Sequence, residues 1–153
     1  MRRMPDAAFV TGFRGLPGLA SHPWAYPMLE SAHIVGIALL VGNLVLLELR
    51  VWGAGAELPL RALARLALSL ALAGFCVVVG SGVLMFAAAP AELLANRVFV
   101  VKMSLVMLAG LNAAMFHARG GLDRPDAIAR AQTVVSLGLW LAVIILGRWI
   151  GYA

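Results

Sequence analysis

Four stretches of this chain, at about 27–49, 66–89, 98–117 and 131–150, are each long and apolar enough to cross a bilayer. A hydrocarbon core of about 30 Å takes roughly 20 residues of helix. The runs are continuously apolar rather than alternating, so they do not read as barrel strands. An open sheet edge in lipid would leave backbone groups unpaired. The expected fold class is therefore all-α, an integral membrane bundle of four transmembrane helices. The links are short and carry breakers: Gly53, Gly55 and Pro59 in residues 50–65, Pro90 at the head of 90–97, and Gly120, Gly121 and Pro125 in 118–130. Links of that length make consecutive helices antiparallel, an up-down-up-down order.

Composition agrees with a lipid-facing surface. Of 153 residues, 63% are hydrophobic and 12% charged, with a mean hydropathy of +0.96. Twelve cationic and seven acidic side chains are too few to cover a soluble fold of this length. The chain reads as a single domain over 1–153. Residues 1–26 mix Phe9, Phe13, Leu16 and Trp24 with Arg14, Pro17 and His22, which suits an interfacial N-terminal segment. The net charge of +5 would suggest nucleic acid in a soluble protein. Here the eleven arginines and one lysine mostly punctuate the ends of apolar runs, where they meet headgroups, so the partner implied is the lipid bilayer and not nucleic acid. Cys76, the only cysteine, excludes an intrachain disulfide.

Side A denotes the face holding both termini and the link between the second and third helices; side B denotes the other. Trp24, Tyr26, Trp149 and Tyr152 fall at side A as an aromatic belt. Leaving out Lys102 and Arg148, which sit within helices, side A carries four arginines (2, 3, 14, 97) and side B six (50, 61, 65, 119, 124, 130). The excess leans towards a cytoplasmic side B, with both termini periplasmic.

An ionisable residue inside a membrane span is costly and is a functional candidate by default. Glu30, His33, Lys102 and His117 qualify, with Glu48 and Arg148 near helix ends. His33, Lys102 and Arg148 converge at one level near side A. At about 100° per residue, Lys102, Val106, Ala109, Ala113 and His117 share a stripe of the third helix, which would turn Lys102 and His117 inward at opposite ends, about 22 Å apart. Glu30 and His33 form E-x-x-H, a spacing that carboxylate bundles use for two metals, although side A adds only Glu92 to it. Glu30 is better placed to orient His33 or to pair with Arg148.

Three readings of His33 stand open. It can be the axial ligand of a haem, with Lys102 as second ligand or propionate partner and Arg148 as propionate partner. It can be a copper ligand alongside the soft sulfurs of Met28, Met85 or Met103. It can be a packing histidine bonded to Glu30 or to a carbonyl. His117 lies near side B, too far away to share one haem with His33; with Asn112 it marks a second possible site. The second helix, with Ser69, Gly74, Gly80, Ser81 and Gly82, reads as a close-packing helix.

The run Trp24-Ala-Tyr-Pro-Met-Leu-Glu-Ser-Ala-His33 closely resembles a bacterial family of four-helix membrane proteins catalogued as a domain of unknown function. So do Leu49-Arg50, Asn96, Lys102, Ala109-Gly-Leu-Asn112, Phe116-His117 and the ending Gly147-Arg-Trp-Ile-Gly-Tyr152. That resemblance implies the inner membrane of a bacterium and names no activity. More distantly, the helical histidine followed by an apolar run to Leu-Arg, and the lysine opening a run that closes on an aromatic-His pair, look like the HemJ-type protoporphyrinogen oxidases and the CopD-type copper proteins. The first likeness implies a b-type haem at His33 and Lys102; the second implies copper handling. The tryptophan usual shortly after the histidine in the oxidases is absent, since residues 36–42 read GIALLVG. The leading expectation is a b-type haem protein for electron transfer or porphyrin handling, with a redox partner. The alternatives are a copper-handling or transport protein and a non-catalytic membrane subunit. A bundle this thin is also a candidate for homo-oligomerisation.

Overall fold

The computed structural model describes residues 23–123 and 125–152; most of the interfacial segment expected over 1–26 lies outside them. Four long helices cross the molecule in antiparallel order: α1 (Ala25–Val51), α2 (Leu60–Ala88), α4 (Arg97–Ala118) and α5 (Ala127–Trp149). A short helix α3 (Pro90–Ala95) bridges α2 and α4, and a 3-10 turn (Ile150–Tyr152) ends the described chain. All four long helices have the length and composition of membrane spans, with mean hydropathies from 1.9 to 2.3. The protein is thus a multi-pass integral membrane protein and a four-helix bundle.

Local chemistry sets the ends. Gly53 and Gly55 adopt left-handed φ values of 107° and 60° after α1, and Gly120 does so at 66° after α4, a conformation that suits glycine. Asn96 caps α4 by accepting from Val98 N at 2.9 Å and Phe99 N at 3.3 Å. Asp126 caps α5 through Ala129 N at 2.7 Å. Helix α2 starts at Leu60, six residues before the hydropathy-based start at 66. Arg61 and Arg65 are exposed on this added turn, so the helix carries on where the apolar run has not yet begun.

The molecule is two helical hairpins. In the first, the inner face of α2 is built from small residues, Ala64, Ala67, Ala71, Gly74 and Ser81, against Gly36, Leu40 and Leu47 of α1. A Cβ on Gly74 would come within 2.7 Å of both Gly36 O and Leu40 N, so the two backbones are in direct contact. Apolar side chains gain little from leaving lipid for protein, so association in a membrane relies on this kind of close packing. The second hairpin, α4 on α5, is tied by Asn112 Nδ2 donating to Gln132 O at 2.9 Å.

The hairpins join mainly through α1 and α5, towards side B. There Trp52 Nε1 donates to Thr133 Oγ1 at 2.7 Å, and Val51, Phe116 and Ala129 form the core cluster with Leu122 packed on it. At side A the rings of Phe86 and Phe99 stack at 5.8 Å between α2 and α4. Large apolar side chains point outward along every span, among them Leu66, Leu72, Met107 and Leu111. That is the reverse of a soluble core and the expected surface for acyl chains.

Candidate functional site at the side A end of the bundle

His33 lies in the third turn of α1, on the stripe of Gly36, Leu40 and Leu47 that faces α2. Its Nδ1 is 2.9 Å from Ser81 Oγ, and its ring rests over Gly82, where an added Cβ would stand 3.4 Å from Cε1. Ser81 is itself buried and sends its hydroxyl hydrogen to Val77 O at 2.6 Å. With that hydrogen committed, Ser81 Oγ accepts from the histidine, and the Val78 carbonyl is a further acceptor beside the ring. With Ser81 Oγ as the acceptor the ring takes the Nδ1–H tautomer, which would turn an unprotonated Nε2 away from Ser81.

Lys102 mirrors this on the second hairpin. It sits in the second turn of α4, half-buried, and its Nζ would stand 3.6 Å from a Cβ on Gly147 of α5. Each hairpin thus makes room for one basic side chain by placing a glycine on the opposite helix. Lys102 and His33 both lie toward side A, one on each hairpin. Among the described residues Lys102 has no carboxylate partner; both ion pairs, Arg61–Asp123 at 2.9 Å and Arg119–Asp126 at 3.4 Å, lie at side B.

The other candidates fall elsewhere. Glu30 is exposed and acts on Tyr26 of its own helix, while Ser81 takes the place beside His33 that the sequence offered to Glu30. Arg148 is exposed and folds onto Tyr152, donating to its hydroxyl at 2.6 Å with the guanidinium carbon 5.0 Å from the ring centre. Together with Val98 and Trp149 these two residues line a shallow surface depression. Of the sulfur candidates, Met28 and Met103 are exposed, and Met85 is half-buried one turn beyond Ser81 on α2. Among the described residues no three His, Cys, Asp or Glu side chains group as a metal site, so Glu30 and His33 gather no further carboxylates.

His117 does not turn inward. It is exposed and meets the edge of the Phe116 ring at 5.5 Å, while Phe116 takes the buried position. The inner stripe of α4 runs Lys102, Ala109, Phe116, a strict seven-residue step. The rotation from 102 to 116 misses full turns by about 40°, against about 60° for 117. Asn112 is spent on Gln132 O and does not join His117.

Two residues escaped the sequence reading. Ser81 falls on the small-residue stripe of α2 one heptad after Gly74, a phase that could have marked it as inward. Glu48, taken for a helix-end residue, is 5% exposed and its Oε2 has no hydrogen-bond partner. Nothing in the local sequence distinguishes it from a solvated carboxylate at a helix end.

The chain belongs to a family of unknown function, DUF6644, whose match covers residues 11–153. No curated protein and no solved structure matches it.

Proposed function

We propose that this member of that family binds a b-type haem near side A, with His33 Nε2 as axial ligand and Lys102 as the partner of a propionate. The observation that supports the reading is an imidazole held through Nδ1 by Ser81 on one hairpin and, on the other, an ammonium with no carboxylate partner among the described residues, both toward side A. A lone cation at that depth calls for an anion, and an unprotonated Nε2 calls for a metal or a proton donor. An iron porphyrin supplies both in one molecule. Bound there, it would provide a one-electron iron couple or a porphyrin for handling. Ser81 would hold the imidazole plane and tautomer, Gly82 and Gly147 would keep space beside the two basic groups, and Arg148, exposed near side A, would have to leave Tyr152 to meet a second propionate.

Copper draws less support. The Lys102 charge opposes a cation, and Met28 and Met103 are exposed. The arginine excess on side B supports a periplasmic side A, where a redox partner would meet the haem.

The test is a visible spectrum of detergent-purified protein made with haem available. A Soret band that is lost in His33→Ala, and that weakens but persists in Lys102→Met, is the expected result. Absence of the band, or an identical band in His33→Ala, overturns the reading.

A further inference from the structure

We infer that Glu48 is a proton-binding site of the bundle, separate from the His33–Lys102 pair, with a carboxyl that carries its proton at neutral pH. Glu48 sits one turn before the end of α1 at side B and about 22 Å along the helix from His33. It is 5% exposed, and its Oε2 is buried without any hydrogen-bond partner. Among the described residues, the hydroxyl of Ser136 on α5 is placed to donate to the carboxyl. One turn further along α1, the Trp52–Thr133 hydrogen bond and the Val51, Phe116 and Ala129 cluster close that end of the bundle.

Among the described residues no charge is placed to compensate an ionised Glu48, and Arg119 at the end of α4 is paired with Asp126. On α1, Arg50 is turned back to the carbonyls of Leu58 at 2.9 Å and Ala56 at 3.0 Å. On α5, Arg130 is exposed; on α4, His117 is exposed against Phe116. On α2, Arg61 is paired with Asp123 and Arg65 is exposed. A carboxylate shut away from water without a counter-charge takes up a proton instead. A metal cation would need about six oxygen donors. The site offers the carboxyl and Ser136, because Thr133 already donates to Arg130 O and accepts from Trp52. The proton is therefore the occupant the site can accommodate.

Infrared spectroscopy of the full chain in lipid tests this. The expected result is a protonated-carboxyl carbonyl band at neutral pH that shifts in deuterated water, disappears in Glu48→Gln and moves to higher frequency in Ser136→Ala. The Ser136→Ala shift assigns the band even if Glu48→Gln fails to fold. Absence of such a band from the wild-type protein, or its persistence unchanged in a folded Glu48→Gln, overturns the proposal. So does a band that sodium chloride removes at fixed pH and choline chloride does not, because the site would then hold a metal cation.

Discussion

The hydroxyl hydrogen of Ser81 decides which nitrogen of His33 is bare. It goes to Val77 O, so the oxygen faces the imidazole as an acceptor and the proton stays on Nδ1. Removing that acceptor frees the ring to rotate or change tautomer. Partners of a ligating histidine are worth about 10–100-fold in affinity, so Ser81→Ala should weaken haem binding by roughly that factor with the fold intact. A haem titration followed at the Soret band measures it, and unchanged affinity would mean that the ring nitrogen is not engaged. Lys102→Met removes an uncompensated charge from the membrane, so unfolding in a denaturing detergent should need as much denaturant as the wild type, or more. A variant that fails to fold would show that the ammonium is held by a structural partner. At this scale the residue types were legible and their partners were not. His33 and Lys102 stand out because ionisable residues are scarce in spans, whereas the choice of Ser81 over Glu30 depends on which side of α1 meets α2.

Packing between elements is set by the small-residue stripe of α2. Gly74 lies against the α1 backbone, whereas Gly80, six residues on, has nothing within 4 Å of an added Cβ. Gly74→Ala must push the helices apart and should cost about 1–3 kcal/mol. Gly80→Ala adds a methyl group to open surface and should be neutral or stabilising by up to about 1 kcal/mol, the helix-propensity difference. Reversible unfolding followed by circular dichroism separates the two; equal effects would mean that the hairpin is not held by backbone approach. The existence of the four helices was legible because each apolar run matches the bilayer thickness. Their ends were less so. The early start of α2 and the helical turn α3 lie where hydropathy falls and hydrogen bonding carries on regardless.

For the whole molecule, stability rests on how the two hairpins meet. The Trp52–Thr133 bond joins them at side B, and Trp52→Phe keeps the ring while removing the donor. The expected loss is about 0.6–1.7 kcal/mol, as for hydrogen bonds between membrane helices, read from the same unfolding transition. The Arg61–Asp123 pair also links them, but its side chains are 84% and 59% exposed. Arg61→Ala should therefore change stability by roughly 0–1 kcal/mol, less so at high salt. If Arg61→Ala proves the more damaging of the two, the junction is electrostatic and not the buried contact described above.

The sequence by itself determined that this is a membrane protein of four antiparallel helices with its scarce ionisable groups near the ends. Those features depend on run length, composition and link length, all of which are local. Only the tertiary structure decided that Phe116 and not His117 enters the core, that Ser81 stands beside His33, and that Glu48 is shut in with no counter-charge among the described residues. Each of these turns on helix rotation and on which helices touch. In a span that is apolar all round, hydrophobicity sets no phase, so the rotation is chosen by small residues, glycine contacts and a few buried polar groups. The four spans and the side A candidates were therefore legible from the start, while Ser81 beside His33 and the enclosed carboxyl at side B emerged only from the packing.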